Sequence, residues 1–230
     1  MKIAINSLHW DNLDPRISEG HKRVYRYFDI PVSYTFANIP HGRWMDLVCE
    51  RSNADIYVFC DADCIPLRRE IFDEGIDYCL KVGSFIGPAQ ASNHWPAPIS
   101  SHIFAAPSFF MMTRDIYEKM GRPSFVPISG RSDVAQEMSR IADETGIEYM
   151  CWYPTKYERG YRTSNPLMYD KLSNYGRYGI GTVYAQDKLY HLYECRDGQN
   201  AKLFERRCGE VISGTFSTKS MLSCTAPYAR

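Results

Sequence analysis

The 230-residue chain has no excess charge of either sign: 27 Lys and Arg stand against 27 Asp and Glu. No global field therefore draws it to nucleic acid or to an anionic membrane, and only a local basic patch is open to such a role. No stretch approaches the roughly 18 apolar residues that mark a membrane-spanning helix. The opening MKIAINSLHW has neither the long apolar core nor the small-residue cleavage site of a secretory signal, and it reads as a first strand. The eight cysteines form no Cys-x-x-Cys pair and follow no regular spacing. That pattern disfavours a disulfide scaffold and a zinc site, and a reducing, cytoplasmic setting is expected. Internal repeats and low-complexity tracts are missing too, and no convincing linker divides the chain.

What remains is an ordinary globular composition, long enough for one substantial domain. Lys2–Asn6 reads as a strand, Arg16–Phe28 as a helix and Ile30–Phe36 as a second strand. Arg43–Ser52 is helical in pattern, Ile56–Cys60 is a near-continuous β-prone run, and Arg68–Val82 is a further helix. This alternation predicts an α/β fold with a mixed, mostly parallel central sheet flanked by helices. Beyond it, Gly83–Gly87 and Ile103–Met112 read as strands, with the Pro-rich Pro88–Ser101 as a loop between them. Arg114–Met120 and Ser132–Thr145 read as helices, the latter capped by Ser132 and closed by Gly146. Ile147–Tyr153, Thr182–Ala185 and Lys188–Tyr193 read as strands. The rest of the C-terminal third is Tyr-, Gly- and Arg-rich and gives no clear pattern.

The most informative segment is ADIYVFCDADCIP, where an apolar strand runs into Asp61 and Asp63. Ligands of open α/β sheets bind beyond the carboxyl ends of the strands. Two hard carboxylates there suit Mg²⁺ or Mn²⁺ holding substrate phosphates. In extended backbone, residues two apart point the same way, so both aspartates face one site while Ala62 packs behind them. Pro66 then ends the strand. The plainer alternative is that the pair terminates the strand and caps the next helix.

Four segments in order resemble the nucleotide-sugar glycosyltransferases of the GT-A fold. HGRWMDLVCERSNADIYVFCDADCIPL resembles their helix, turn and strand ending in Asp-x-Asp. SFFMMTRDIYEKMGRP resembles the strand and helix after their acceptor loop. GRSDVAQEMSRIADETGIEYM resembles the helix that carries a catalytic acid, and KLYHLYECRD resembles the late segment whose His completes the metal site. The resemblance implies a single GT-A-like (Rossmann-like) domain: a nucleotide-sugar-binding half (1–87), an acceptor and catalytic half (88–197) and a C-terminal extension (198–230).

The resemblance also implies roles. Asp63 and His191 would hold Mn²⁺ or Mg²⁺, and Asp61 would contact the ribose or the metal through water. The donor nucleotide would lie against Ser7, His9, His41, Arg43, Asp61 and Ala62. His41 and Arg43 begin a helix whose N-terminus suits phosphate, although Arg43 serves equally as a solvated first-turn residue. An inverting enzyme needs a general base, for which Asp133 comes first and Glu137 second; in a retaining enzyme no dedicated base is expected and both would bind acceptor or donor instead. Asp133 equally suits the helix dipole. Asn93, His94 and Trp95 suit an acceptor, with Trp95 either stacking on a sugar ring or packing on the core. The acceptor stays open among a saccharide, a lipid-linked sugar, a protein and a modified nucleobase in DNA. For DNA, Arg159, Arg162, Arg177, Arg206 and Arg207 would supply the basic patch. A nucleotidyltransferase also uses paired aspartates, but Ser7–Pro15 has no glycine and only Arg16 beside it, unlike a phosphate-binding loop. A non-catalytic carbohydrate- or nucleotide-binding module is the remaining alternative.

Overall fold

The computed structural model describes residues 1–92, 102–158 and 179–224. Contacts gather into two compact units: Met1–Trp10, Val32–Asp61 and Phe72–Trp152 form the first, and Asp11–Pro31, Ala62–Ile71 and Tyr153–Arg230 the second.

The first unit holds a seven-stranded sheet of β1 (Ile3–His9), β2 (Ser33–Phe36), β3 (Ile56–Cys60), β5 (Phe85–Ala91), β6 (Ile103–Ala105), β7 (Phe109–Thr113) and β8 (Met150–Trp152). β1 is parallel to β2 and β3, and β8 is parallel to β5. β7 is antiparallel to β3 and β5, and β6 is antiparallel to β5. Five of the seven strands therefore run one way and β6 and β7 run against them, so the sheet is mixed and mostly parallel.

Helices flank it. α2 (His41–Arg51), α4 (Arg114–Lys119) and α5 (Gln136–Thr145) bring Trp44, Met45, Ile116, Tyr117, Met138 and Ala142 into one cluster with Leu8, Tyr57, Phe59, Phe110 and Met112. Strand alternation sends Phe109 and Met111 the other way. There Phe72 meets Phe109 edge-on at 4.9 Å, and Gly75 lets α3 (Glu70–Tyr78) approach Met111 and Trp152. β3 is buried along its whole length, as a central strand covered on both faces should be.

The second unit holds β4 (Cys64–Pro66), β9 (Pro154–Glu158), β10 (Gly181–Tyr184), β11 (Leu189–Leu192) and β12 (Leu222–Ser223), ordered β12-β9-β10-β11-β4 and antiparallel throughout. α1 (Pro15–Tyr27) packs on α6 (Gly198–Ile212). A methyl group on Gly20 would lie 2.9 Å from the Cys208 sulfur.

Several sequence expectations change. Ile103–Met112 is two strands, because Pro107 interrupts the run and Ala106 donates to the Pro88 carbonyl. Pro88 lies inside β5 instead of opening a loop. The Arg68–Val82 helix starts at Glu70 and ends in a π-helical turn, Cys79–Gly83. Ser132 does not cap α5: its Oγ accepts from the Ile128 amide at 3.0 Å. The helix starts at Gln136 behind Ala135, which sits in the left-handed region at φ 63°. Pro66 ends no β3 strand but closes β4 in the antiparallel sheet. The unpatterned C-terminal third contains α6, fifteen residues long.

No helix among the described residues is long and apolar enough to cross a membrane. No disulfide is present among the described residues, and burial pushes the thiols of Cys49, Cys79 and Cys151 up to about 12.

Candidate metal centre

β3 delivers Asp61 at its carboxyl end, where the Asp61 amide donates to the Ser108 carbonyl at 2.9 Å. Ala62, only 8 % exposed, and Asp63 then form a turn. The two carboxylates therefore converge through a turn and not through the extended backbone expected from the sequence.

β4 starts immediately after that turn, and its pairing brings in the third residue. His191 is opposite Cys64, Tyr190 opposite Ile65 and Leu189 opposite Pro66. The Leu192 amide donates to the Asp63 carbonyl at 2.9 Å, which pins the turn to the end of β11. His191 Nε2 consequently lies 3.5 Å from Asp63 Oδ1, with 7 % of the His191 side chain exposed. The ligand atoms of Asp61, Asp63 and His191 all lie within 4.8 Å of one another.

These residues fit a divalent cation. In octahedral coordination at about 2.1 Å, neighbouring ligand atoms are about 3 Å apart and opposed ones about 4.2 Å, so movements of under an ångström close the shell. His191 presents Nε2 to the carboxylates, and its buried Nδ1 has no hydrogen-bond partner among the described residues. A donor set of two carboxylates and one imidazole suits a divalent cation such as Mn²⁺ or Mg²⁺. The Tyr193 ring, 4.2 Å from the imidazole, walls one side of it.

The other expected site residues fall in separate places. His41, first residue of α2, puts Nε2 3.2 Å from Asp61 Oδ1. Ser7 and His9 are buried on one face of β1, with Ser7 Oγ 3.1 Å from His9 Nε2, and His9 meets Tyr34 and Phe36 edge-on. Arg43 is half exposed and pairs with Glu50 at 3.0 Å.

Asp133 precedes α5 and does not lie within it; its amide donates to Gln136 Oε1 at 2.8 Å. Glu137 is in the first turn, paired with Arg140 at 3.1 Å and Arg131 at 3.6 Å. Neither carboxylate belongs to the Asp61–Asp63–His191 group. Asn93, His94, Trp95, Arg159, Arg162 and Arg177 lie outside the described residues. Arg207 contributes nothing to a basic surface: it is buried and held by Glu158 at 2.9 Å and by Glu210, while Arg206 lies 3.8 Å from Glu210.

One polar network has no counterpart in the sequence reading. Asp143 meets His102 Nε2 at 2.9 Å, His102 Nδ1 meets Gln136 Nε2 at 2.8 Å, and Gln136 Oε1 accepts from Ser92 at 3.0 Å. These four residues come from three distant segments, and no spacing rule joins them.

No protein-family model matches the chain, and no curated protein matches it in sequence. Solved structures resemble it only at low identity and with TM-scores under 0.5. A197 from STIV superposes with a TM-score of 0.46 at 11% identity, over 84% of this chain and 95% of that one. The mannosyltransferase PcManGT from Pyrobaculum calidifontis, solved with GDP-Man and Mn²⁺, gives 0.46 at 10% identity over 65% of this chain. The match spans 54% of the mannosyltransferase, about half its length. CMP:2-keto-3-deoxy-manno-octonic acid synthetase, solved with CTP, gives 0.41 at 11% identity over 66% of this chain and 90% of that one.

Proposed function

We propose that this chain is a metal-dependent glycosyltransferase that takes a sugar from a nucleotide-sugar donor. The observation that carries this reading is the Asp61–Asp63–His191 cluster at the carboxyl end of β3. Asp63 and His191 would hold Mn²⁺ or Mg²⁺, and Asp61 would reach the metal or the donor ribose. A divalent ion held there supplies positive charge against the diphosphate as it leaves. His41 and Arg43 would line the donor side, with the buried Ser7 and His9 supporting it from β1. Asp133 takes the acceptor hydroxyl proton as it attacks the anomeric carbon, inverting that centre, with Glu137 in reserve. Glu137 is the weaker base, because two guanidinium groups already hold its oxygens. Asn93, His94 and Trp95 meet the acceptor.

A nucleotidyltransferase would also use such a cluster, but it needs a cationic phosphate grip beside its first strand. Arg16, the one cation next to Ser7–Pro15, is forked onto Asp14 at 2.6 and 3.0 Å.

Incubating the purified protein with UDP-, GDP-, CMP- and TDP-sugars tests the proposal. Mn²⁺-dependent hydrolysis of one of them is expected, with an Asp63→Ala variant losing it. Asp133→Ala should keep donor binding and lose transfer by at least about a hundredfold, the usual worth of a general base. Pyrophosphate release from a nucleoside triphosphate would favour the nucleotidyltransferase instead. A panel with no metal-dependent response from any donor would sink the reading.

A further inference from the structure

We propose that His41 is a positioning residue for the metal centre, its imidazole fixing the direction of the Asp61 carboxylate and so setting the affinity for the ion. This rests on the metal-dependent reading above and assigns His41 a duty besides lining the donor side. His41 Nε2 stands 3.2 Å from Asp61 Oδ1, and the two side chains are 17 % and 27 % exposed. Partial burial makes such a contact stronger and more directional than a surface ion pair. A carboxylate has two oxygens, and engaging one of them selects the rotamer in which the other is presented.

The surroundings of His41 are built to keep it still. Its ring stacks on Trp44 at 5.7 Å and 29°. Trp44 is in turn fixed by its indole N–H, which donates to Thr35 Oγ1 at 3.1 Å. The next residue, Gly42, lies so close to the Phe125 carbonyl that a side chain there would collide with it. One turn on, the buried Asp46 accepts from Ser124 Oγ at 2.7 Å and from the Phe125 amide at 2.9 Å. The helix start that carries His41 is thus clamped from two directions, as a group that orients a ligand requires. Partners of this kind, which hold a ligand without touching the metal, typically change metal affinity by 10- to 100-fold when removed.

Mn²⁺ binding to the full chain, followed by the loss of free-ion electron paramagnetic resonance signal, tests this without any donor or acceptor. Wild type should bind, and Asp63→Ala should not. His41→Ala should weaken binding about tenfold while leaving the metal-free melting temperature unchanged. His41→Gln, whose amide reaches about as far as Nε2, should recover most of the affinity. Equal Mn²⁺ affinity in His41→Ala and wild type overturns the positioning role and leaves the metal centre standing. So does an affinity lost equally in His41→Ala and His41→Gln, since the donor group would then be irrelevant. Wild type that binds no Mn²⁺, or binds it no better than Asp63→Ala, removes the metal centre and this role with it.

Discussion

Asp14 acts twice at the start of α1. It caps the helix through the Arg16 amide and forms a fork with the Arg16 guanidinium, at 2.6 and 3.0 Å. The Arg16 side chain first, and its amide second, hold the Asp14 carboxyl down at about 2. Its folded-state value lies below the unfolded one, so its stabilisation is complete above the ordinary carboxylate range and drains away as pH falls toward about 2. Asp14→Ala should therefore cost about 1 kcal/mol near neutrality. In urea titrations that difference should hold down to about pH 5 and shrink below about pH 4. A gap that stays constant to pH 3 would show that the lost contacts are not those of the charged carboxylate. Ala135 shows a different kind of residue effect. Its positive φ lets the chain turn sharply into α5, so that the Gln136 side chain can fold back on Asp133. Nothing in a run reading Ser-Asp-Val-Ala announces that turn, which is why Ser132 looks like the cap.

Among the elements, α2 is seated directly against neighbouring backbone. Gly42 allows its first turn to pass the Phe125 carbonyl, and no larger residue fits without moving backbone. Gly42→Ala should destabilise by about 2–3 kcal/mol. The melting temperature should fall by several degrees, since 1 kcal/mol is worth roughly 2–4 °C in a chain of this size. A fall of under about 1 °C would mean that the helix start is free to shift. The parallel half of the fold was legible because its strands are short apolar runs between well-patterned helices. β3 is the clearest case, buried on both faces and rich in Ile, Tyr, Val and Phe. β4 was not legible: three residues cannot show a period, and Cys64–Pro66 looks like the tail of β3. α6 carries its apolar stripe at Ala201, Phe204, Cys208 and Val211 under an Asp197 cap. The buried Arg207 and the mid-helix Gly209 break that stripe in the sequence and hide it.

At the scale of the whole chain, long-range pairs decide stability and assembly. Arg207 is buried and joined to Glu158 of β9 at 2.9 Å and to Glu210, with its guanidinium 5.6 Å from the centre of the Phe216 ring. Burial alone would lower its affinity for a proton, but the two carboxylates outweigh that and raise it. Arg207→Met should cost about 3–5 kcal/mol in denaturant unfolding, because Glu158 loses its cation and Glu210 keeps only Arg206 at 3.8 Å. Replacing Glu158 by Leu in the same chain should restore part of the loss, and no recovery would mean that packing, not charge, dominates there. The same long reach governs what could be read of the candidate site. Asp61 and Asp63 announce themselves within five residues, whereas His191 is recognisable only through its resemblance or through its pairing with Cys64. That pairing has a consequence in time. Asp63 and His191 are separated by 191 − 63 = 128 residues. A ribosome adding about 5–20 residues per second needs roughly 6–26 seconds between them. Throughout that interval β4 has no partner strand, and each nascent chain is born with its two aspartates waiting for their histidine.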